Sequence, residues 1–406
     1  MKQNTVALVV PELDFGGGIS SIVELLVRQL EGQSAFDYRL VSLATSSVDT
    51  ASSRLGQPSS WLTGPGTRSG TWRGRSFIHV GCHLAEIEFM RYQPRRLLSR
   101  TLEDCDLIQV VSGFPAFANA VLGQGKPVCV WAATRALVER KRLLDSSSSA
   151  VNTLRRIMSH AVDFLDDRAL RKADAVLVMN AWMEKYVQQV RRTDAQSIKY
   201  APPGVDIGRL FPLDARKSCL NRSNNRYILS VGRFGDPRKN PEMLLKAFAL
   251  MAGKIGNPPD LKFAGSTAPD RNFWLQVHAL GLQEKVEFIP SPNDKELVDL
   301  YQNALCFAMS SDEEGFGMVL IEAMACGIPV ISTRCGGPDN IVTDGEDGFL
   351  VPIGGAKEMS ERLSYLCNDI DANVAMGRRA RYKVESCFTK DRTGNIFFET
   401  WCSLLN

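Results

Sequence analysis

The most informative stretch of the chain is residues 310–352, which read SSDEEGFGMVLIEAMACGIPVISTRCGGPDNIVTDGEDGFLVP. Within it, a glycine-rich turn at 315–317 precedes an apolar run at 320–326 that predicts a helix, ended by Gly327. A strand is predicted at 329–333. A glycine turn that opens a helix presents free backbone N–H groups and the positive end of the helix dipole. The segment therefore favours a site for a phosphate or a sugar hydroxyl.

Two glutamates bracket this turn: Glu314 precedes it, and Glu322 lies about two helical turns further on. Carboxylates accept hydrogen bonds from vicinal diols, such as those of ribose and hexose. An isolated glutamate is more often a capping charge or a surface residue. In this setting, however, the spacing favours ligand binding for both side chains.

Short β-branched runs alternate with longer amphipathic stretches along the chain, which is typical of a parallel sheet wrapped by helices. Helices are predicted at 19–30, 241–251 and 320–326. Residues 44–76, rich in Ser, Gly, Thr and Arg, predict a long irregular connection, and 146–149 a second, mobile loop. The predicted strands are 6–10, 39–43, 107–111, 127–131, 175–179, 227–231, 261–264, 286–289, 304–308 and 329–333.

The chain has 406 residues, of which 44% are hydrophobic and 23% charged. These are ordinary globular values that exclude extensive disorder and collagen-like or coiled-coil architectures. The length predicts two or three domains. Since the stretch APPGVDIGRLFP at 201–212 reads as a hinge-like linker, we expect two α/β domains of similar size. Ligands of such sheets bind at the carboxyl ends of the strands, here in a cleft between the domains.

The distribution of charge and apolar residues predicts a soluble, cytoplasmic protein. No apolar run approaches the ~20 residues of a membrane span, and the first residues lack a secretory signal.

Residues 1–203 carry 25 Lys and Arg against 19 Asp and Glu. This basic excess is either a solvated face or a surface for anionic acceptors or headgroups at the inner face of a membrane. No nucleic-acid-binding motif accompanies it. The residues concerned include Arg91, Arg95, Arg96, Arg100, Arg135, Arg140, Lys141 and Arg142.

No metal site is predicted. The ten cysteines include no C-x-x-C pair, which fits reduced, mostly buried thiols. His79 and His83 are spaced to share a helix face, but no third ligand is suggested. The D-x-D pairs at 104–106 and 369–371 are interpreted as surface charges.

Residues 310–352 resemble the signature of the retaining glycosyltransferases of family 4, the glycosyl transferases group 1, which have the GT-B fold. The resemblance implies an α/β protein with two Rossmann-like, doubly wound parallel-sheet domains that face each other across a cleft. Residues 1–203 would form the acceptor-side domain and residues 204–387 the nucleotide-sugar domain. A closing helix within 388–406 would pack back on the first domain.

The resemblance also implies roles for individual residues. Glu314 would bind the transferred sugar near its 3- and 4-hydroxyls, and Glu322 the ribose hydroxyls of the nucleotide. Backbone groups would line the sugar and phosphate pocket at Phe316, Gly317, Met318 and Val319.

Two further segments are similar to the family. SVGRFGDPRKNPEMLLKAF at 230–248 resembles its strand–Gly–Arg…Lys segment, in which Arg233 and Lys239 would contact the diphosphate. Residues 15–30 resemble its N-terminal glycine turn, in which Gly17 and Gly18 would let the backbone approach the diphosphate. Ile289 would contact the base. Two cations for the diphosphate leave no requirement for a metal or another cofactor.

One departure from the family lies after the strand at 127–131. Many members have a histidine followed by Asp there, whereas this chain reads WAATRALVERKR at 131–142. Thr134 and Arg135 could touch the donor or the acceptor, but neither is a good general base. In the mechanism usually proposed for the family, the leaving phosphate itself takes the acceptor proton.

The leading interpretation is therefore a retaining, metal-independent transferase. It would move a hexose from a UDP- or GDP-sugar to a hydroxyl of a glycan, a lipid-linked or a small-molecule acceptor. An alternative is a catalytically weak nucleotide-sugar-binding partner subunit of a glycosyltransferase. A third is a GT-B epimerase, which would form product without any acceptor and which no sequence feature favours.

Overall fold

The computed structural model describes residues 3–11, 13, 18–138, 150–192, 197–213 and 227–406. It contains two compact units: Met1–Pro203 with Thr393–Asn406, and Gly204–Arg392. Gly17 and the predicted loop at 146–149 lie outside the described residues.

The first unit is built on an eight-stranded sheet of order β3-β4-β2-β1-β5-β6-β7-β8. Neighbouring strands are parallel except β3 and β4. The apolar strand β1 lies inside the sheet and is buried from Val6 to Val10, as expected for a central parallel strand. The strands are β1 (Asn4–Pro11), β2 (Phe36–Leu43), β3 (Thr67–Trp72), β4 (Arg75–Val80), β5 (Leu107–Ser112), β6 (Val128–Ala132), β7 (Ala175–Val178) and β8 (Ile198–Tyr200). The helices are α1 (Gly18–Glu31), α2 (Ser59–Thr63), α3 (Arg96–Thr101), α4 (Ala150–Lys172) and α5 (Ala181–Arg191).

The prediction of a wholly irregular connection at 44–76 is wrong, because β3 and the start of β4 lie within it. The two strands form an antiparallel hairpin around Arg73 and Gly74, which both have positive φ. In β3 only Trp72 is buried, as expected for an edge strand. It therefore lacks the apolar face that would reveal it in the sequence.

Several polar residues expected at the surface or at a metal site are structural. His79 lies on strand β4, not on a helix, and its ring nitrogens bond to Ser42 Oγ at 3.1 Å and to Asp49 Oδ1 at 3.0 Å. Arg95 is buried and donates to the carbonyl oxygens of Gly81 and Arg91. Arg91 itself donates to the carbonyl oxygens of Thr45 and Ala85. The interpretation of the whole arginine cluster as an external basic face is therefore wrong for Arg91 and Arg95.

The second unit is built on a six-stranded parallel sheet of order β11-β10-β9-β12-β13-β14. Its strands are β9 (Tyr227–Arg233), β10 (Asp260–Thr267), β11 (Val286–Pro290), β12 (Cys306–Met309), β13 (Val330–Thr333) and β14 (Gly348–Val351). Its helices are α6 (Pro241–Ala252), α7 (Arg271–Ala279), α8 (Asp294–Asn303), α9 (Met318–Ala325), α10 (Ala356–Asn368) and α11 (Ile370–Cys387).

The last helix, α12 (Lys390–Leu405), belongs to the first unit from Thr393 onward. There Trp401 donates its indole N–H to Gln109 Oε1 at 2.9 Å, and the ring of Phe398 meets Phe36 edge-on at 5.1 Å. Across the described ranges, no helix combines the length and apolarity needed to cross a membrane.

Candidate functional site

The candidate site lies where the strand order of the second unit reverses. From β9 the chain continues to β10 and β11 on one side, whereas β12 pairs on the other side of β9. In open α/β sheets, ligands bind at such a reversal, beyond the carboxyl ends of the strands. The segments that leave β9 and β12 at this edge are the ones that carry the predicted donor-binding residues.

Lys239 and Glu314 meet at this edge. Lys239 Nζ lies 2.5 Å from Glu314 Oε2, although the residues are 75 positions apart. Both side chains are about four-fifths buried. The low local dielectric strengthens the attraction within the pair and any interaction with a bound anion. The pair places a cation and a carboxylate at one point of the crevice.

Backbone and side-chain bonds hold these two segments together. Asn240 Nδ2 donates to Asp312 Oδ1 at 2.9 Å, and Ser310 Oγ donates to the Asn240 carbonyl at 2.8 Å. Asn240 also caps α6 in the left-handed region at φ 43°, which asparagine tolerates better than most residues. The sequence around 239–240 is thus shaped to bring Lys239 against the segment after β12.

Arg233 ends β9 and is exposed. Within the part of the chain that the structure describes, its guanidinium has no ion-pair partner. By contrast, Arg238 forms a two-pronged pair with Asp236, whose pKa is lowered mainly by that hydrogen-bonded guanidinium. Arg233 is therefore available to bind an anionic ligand, whereas Arg238 is already paired with Asp236 within the turn that carries both residues.

The glycine turn opens α9 as predicted, two residues earlier than the apolar pattern suggests. Gly317 caps the helix at φ 106°, a conformation that side chains disfavour. Met318 and Val319 form the first turn, whose N–H groups have no acceptor within the helix. The Phe316 side chain is buried against Phe388, so only its backbone can serve a ligand.

Glu322 lies on the second turn of α9 and is mostly buried. The buried hydroxyl of Tyr301 on α8 donates to its Oε2 at 2.9 Å. Burial raises the pKa of Glu322, while the Tyr301 hydrogen bond and the charge of Arg209 oppose this rise. Sequence reasoning missed Tyr301 and Arg209, since one reads as an apolar helix position and the other as a linker charge.

Ile289 lies on β11 beside a cavity of about 520 Å³ between α8 and the sheet. Charged and aromatic groups line the cavity together, since Lys262 stands over the ring of Tyr227 at 4.7 Å. The remaining lining residues are Glu296, Asp299, Leu300 and Asn303. The base contact assigned to Ile289 stays a prediction.

In the first unit, Gly18 begins α1, and Thr134 and Arg135 follow β6. Thr134 donates its N–H to the Gly113 carbonyl at 2.8 Å. The Arg135 guanidinium lies 2.6 Å from Asp163 and 3.8 Å from the ring centre of Tyr186. Arg135 is therefore already neutralised within its own unit, which weakens the case for it as a substrate contact.

Asp166 on α4 holds the segment that follows β6 in place through backbone hydrogen bonds. Its carboxylate is fully buried and accepts the N–H of Ala116 at 2.7 Å and of Ala136 at 2.8 Å. It thereby ties the segments after β5 and β6 to one helix. Burial raises the pKa of Asp166 to about 7, although the two backbone hydrogen bonds favour the charged form.

We expect the raised pKa of Asp166 to make stability depend on pH. The usual value is about 3.9, so between about pH 4 and pH 7 the folded chain holds a proton that the unfolded chain has lost. The free energy of unfolding should therefore fall as pH rises through this window, by on the order of 1.4 kcal/mol per unit at most. Urea unfolding of Asp166→Asn from pH 4.5 to 7.5 should lack this slope. A matched Asp371→Asn variant, changed at an exposed site, should follow the wild type; three parallel curves would contradict the assignment.

No group of three or more His, Cys, Asp or Glu in the described ranges could hold a metal ion. One residue of each D-x-D pair has a structural partner. Asp106 accepts the backbone N–H of Thr5 at 2.8 Å, and Asp369 caps α11.

Comparison with known proteins finds a family match within the second unit. Residues 214–383 match the family model of the glycosyl transferases group 1. The matched range includes residues 310–352, so the resemblance seen there is confirmed. The predicted fold class, a GT-B fold with two parallel-sheet α/β domains, is also confirmed.

The individual proteins that this chain resembles share about a third or less of its residues over the aligned ranges. The chain is 32% identical over 214 residues to a D-inositol 3-phosphate glycosyltransferase of Paenarthrobacter aurescens, covering 51% of this chain and 52% of that protein. It thus spans about half the length of the curated relatives it matches. Among solved structures, sucrose-phosphate synthase from Thermosynechococcus elongatus superposes with a TM-score of 0.68 at 21% identity, covering 99% of both chains. Anabaena HepE, in complex with UDP and glucose, gives 0.68 at 17% identity, covering 99% of this chain and 100% of that one.

Proposed function

We propose that the protein is a retaining glycosyltransferase that moves a hexose from a UDP- or GDP-sugar to a hydroxyl group. The acceptor would be a glycan, a lipid-linked saccharide or a small molecule. The observation that carries this proposal is the contact between Lys239 and Glu314 beside the glycine turn that opens α9. One donor could then meet cations at its diphosphate and a carboxylate at its sugar. The Paenarthrobacter aurescens relative, a D-inositol 3-phosphate glycosyltransferase, and the HepE complex with UDP and glucose support a glycosyltransferase that uses a nucleotide sugar.

In the proposed reaction, the protein stabilises the negative charge that develops on the leaving diphosphate. Negative charge grows on the diphosphate as the bond to the sugar breaks, and fixed cations in a crevice stabilise it. Lys239 and Arg233 supply these cations in our proposal, so that no metal is needed. The leaving phosphate would then take the acceptor proton on the face of attack, with retention at the anomeric carbon. No side-chain base is required, which agrees with the presence of Thr134 and Arg135 where many members of the resembled family have a histidine.

A thermal-shift panel of UDP-, GDP- and ADP-sugars tests the donor. A ligand present at a hundred times its Kd stabilises a protein by about 2.7 kcal/mol, so one nucleotide series should stand out. Acceptors would then be screened, beginning with D-inositol 3-phosphate, which the names of the relatives suggest. The anomeric configuration of the product tests retention, and an unchanged rate in EDTA tests metal independence. Absence of stabilisation by every nucleotide sugar would contradict the proposal.

A second candidate is a catalytically weak, nucleotide-sugar-binding partner subunit. It is favoured by the contacts of Arg135 with Asp163 and Tyr186, which occupy the charged side chain found among the described residues 133–138. Such a subunit should bind the donor yet release no nucleotide from it, alone or with acceptor.

A cytoplasmic protein at the inner face of a membrane is part of the same proposal. Arg96 and Arg100 on α3 are exposed and could meet anionic headgroups, whereas Arg91 and Arg95 are bound to backbone carbonyls. Cosedimentation with anionic but not neutral vesicles, lost in Arg96→Ala/Arg100→Ala, would test it.

A further inference from the structure

The hydroxyl of Tyr301 is bonded to the carboxylate of Glu322. The side chain is fully buried on α8, its ring lies 5.9 Å from that of Phe307, and its hydroxyl donates to Glu322 Oε2 at 2.9 Å. Burial raises the pKa of Tyr301 well above its usual value, and the charge of Glu322 adds to the rise. The phenol therefore stays protonated and acts towards Glu322 only as a donor.

The helix that carries Tyr301 is held in place on both sides. Asn293 and Glu296 form a reciprocal capping box at its start. The hydroxyl of Tyr227 donates to the Leu300 carbonyl at 2.7 Å, one residue before Tyr301. The phenol of Tyr301 is therefore a fixed point against which the Glu322 side chain is oriented.

This fixed bond leaves the two oxygens of Glu322 unequal. Oε2 is engaged by Tyr301, so Oε1 has the greater remaining capacity to accept a hydrogen bond from a ligand. The charged groups that influence Glu322 are Arg209 and Asp294, which also pair with each other. A carboxylate held in one orientation loses less entropy on binding than one that rotates freely.

We propose that Tyr301 is a positioning residue that holds Glu322 in the orientation needed to accept a hydrogen bond from a ribose hydroxyl of the donor. The inference rests on the proposed function, because it requires a nucleotide at this site. Tyr301 itself touches no ligand in this assignment. Replacement of Tyr301 should therefore weaken the binding of nucleotides that carry the contacted ribose hydroxyl and not of those that lack it.

The test compares Tyr301→Phe with Tyr227→Phe. Each change removes one buried hydroxyl bonded near the end of α8, but only the first bond reaches Glu322. Titration calorimetry would measure the Kd of UDP and GDP and of their 2′-deoxy and 3′-deoxy analogues. The loss of one hydrogen bond to a charged group predicts a Kd for the ribonucleotide raised about tenfold in Tyr301→Phe. The Kd of the deoxy analogue that lacks the contacted hydroxyl should change little.

The outcomes separate the two proposals. If the wild type prefers the ribonucleotide, and this preference shrinks in Tyr301→Phe but persists in Tyr227→Phe, the positioning role is supported. An equal loss for ribo- and deoxynucleotides in Tyr301→Phe, or an equal change in both variants, would overturn it while leaving the proposed function intact. A wild type that binds nucleotide without any ribose preference would also overturn it alone. Binding of neither UDP nor GDP would overturn both.

Discussion

Replacement of Lys239 by alanine should reduce transferase activity by about a hundredfold to a thousandfold and leave the fold intact. In the proposed reaction, its ammonium group stabilises the departing diphosphate, and removal of one such preorganised group typically costs this much in kcat. The Lys239 side chain passes within 3.8 Å of the Cβ position of Gly232, near the carboxyl end of β9 where the candidate site lies. Steady-state kinetics with the identified donor would measure the loss.

The design of this experiment needs a control for charge. Lys246 is exposed on α6, in the same unit, and Lys246→Ala removes the same charge away from the crevice. Its activity should stay within twofold of the wild type. Both variants should remain folded at the assay temperature, although Lys239→Ala should melt lower than Lys246→Ala because it leaves the mostly buried Glu314 carboxylate without its partner. Full activity in Lys239→Ala would rule out the assignment of the diphosphate site.

The order of strands and helices could be predicted from sequence because each element carries its own periodic pattern. The strands at 6–10, 227–231 and 286–289 are confirmed within one or two residues at each end. The pattern misses the short strands β8 and β14 and the hairpin of β3 and β4. An edge strand with one buried residue has no apolar alternation to detect, so polarity and glycine content suggested a loop.

The contact between the two segments of the candidate site joins residues that are far apart in the sequence, so no local sequence pattern predicts it. Lys239 meets Glu314 because β9 and β12 are neighbours, and chain order alone does not reveal this adjacency. Their roles in donor binding come from the family resemblance and stay predictions. Tyr301 escaped notice for a related reason: its importance depends on a contact with α9, while its position along α8 resembles that of any core residue.

Replacement of Gly337 by alanine should disrupt the turn that carries Glu314. A Cβ at this position would lie 2.3 Å from the Phe316 carbonyl oxygen and 2.5 Å from its Cα, and these are backbone atoms that cannot rotate away. The backbone of Gly337 has φ −57°, which any residue adopts, so the expected effect is steric and not conformational. The Gly337 N–H also donates to the Glu314 carbonyl at 2.8 Å, so relief of the clash must move Glu314.

Overpacking of this kind typically costs about 1–3 kcal/mol of stability, and displacement of a positioned group by about 1 Å can lower activity a hundredfold. Urea unfolding would measure the first effect in Gly337→Ala, and donor titration with initial rates the second. Gly256→Ala is the matched control, because no atom lies within 4 Å of its Cβ position and it is in the same unit. Wild-type stability and donor affinity in Gly337→Ala would contradict the close approach of the two turns. A loss of stability without a loss of donor affinity would instead separate the turn from the binding site.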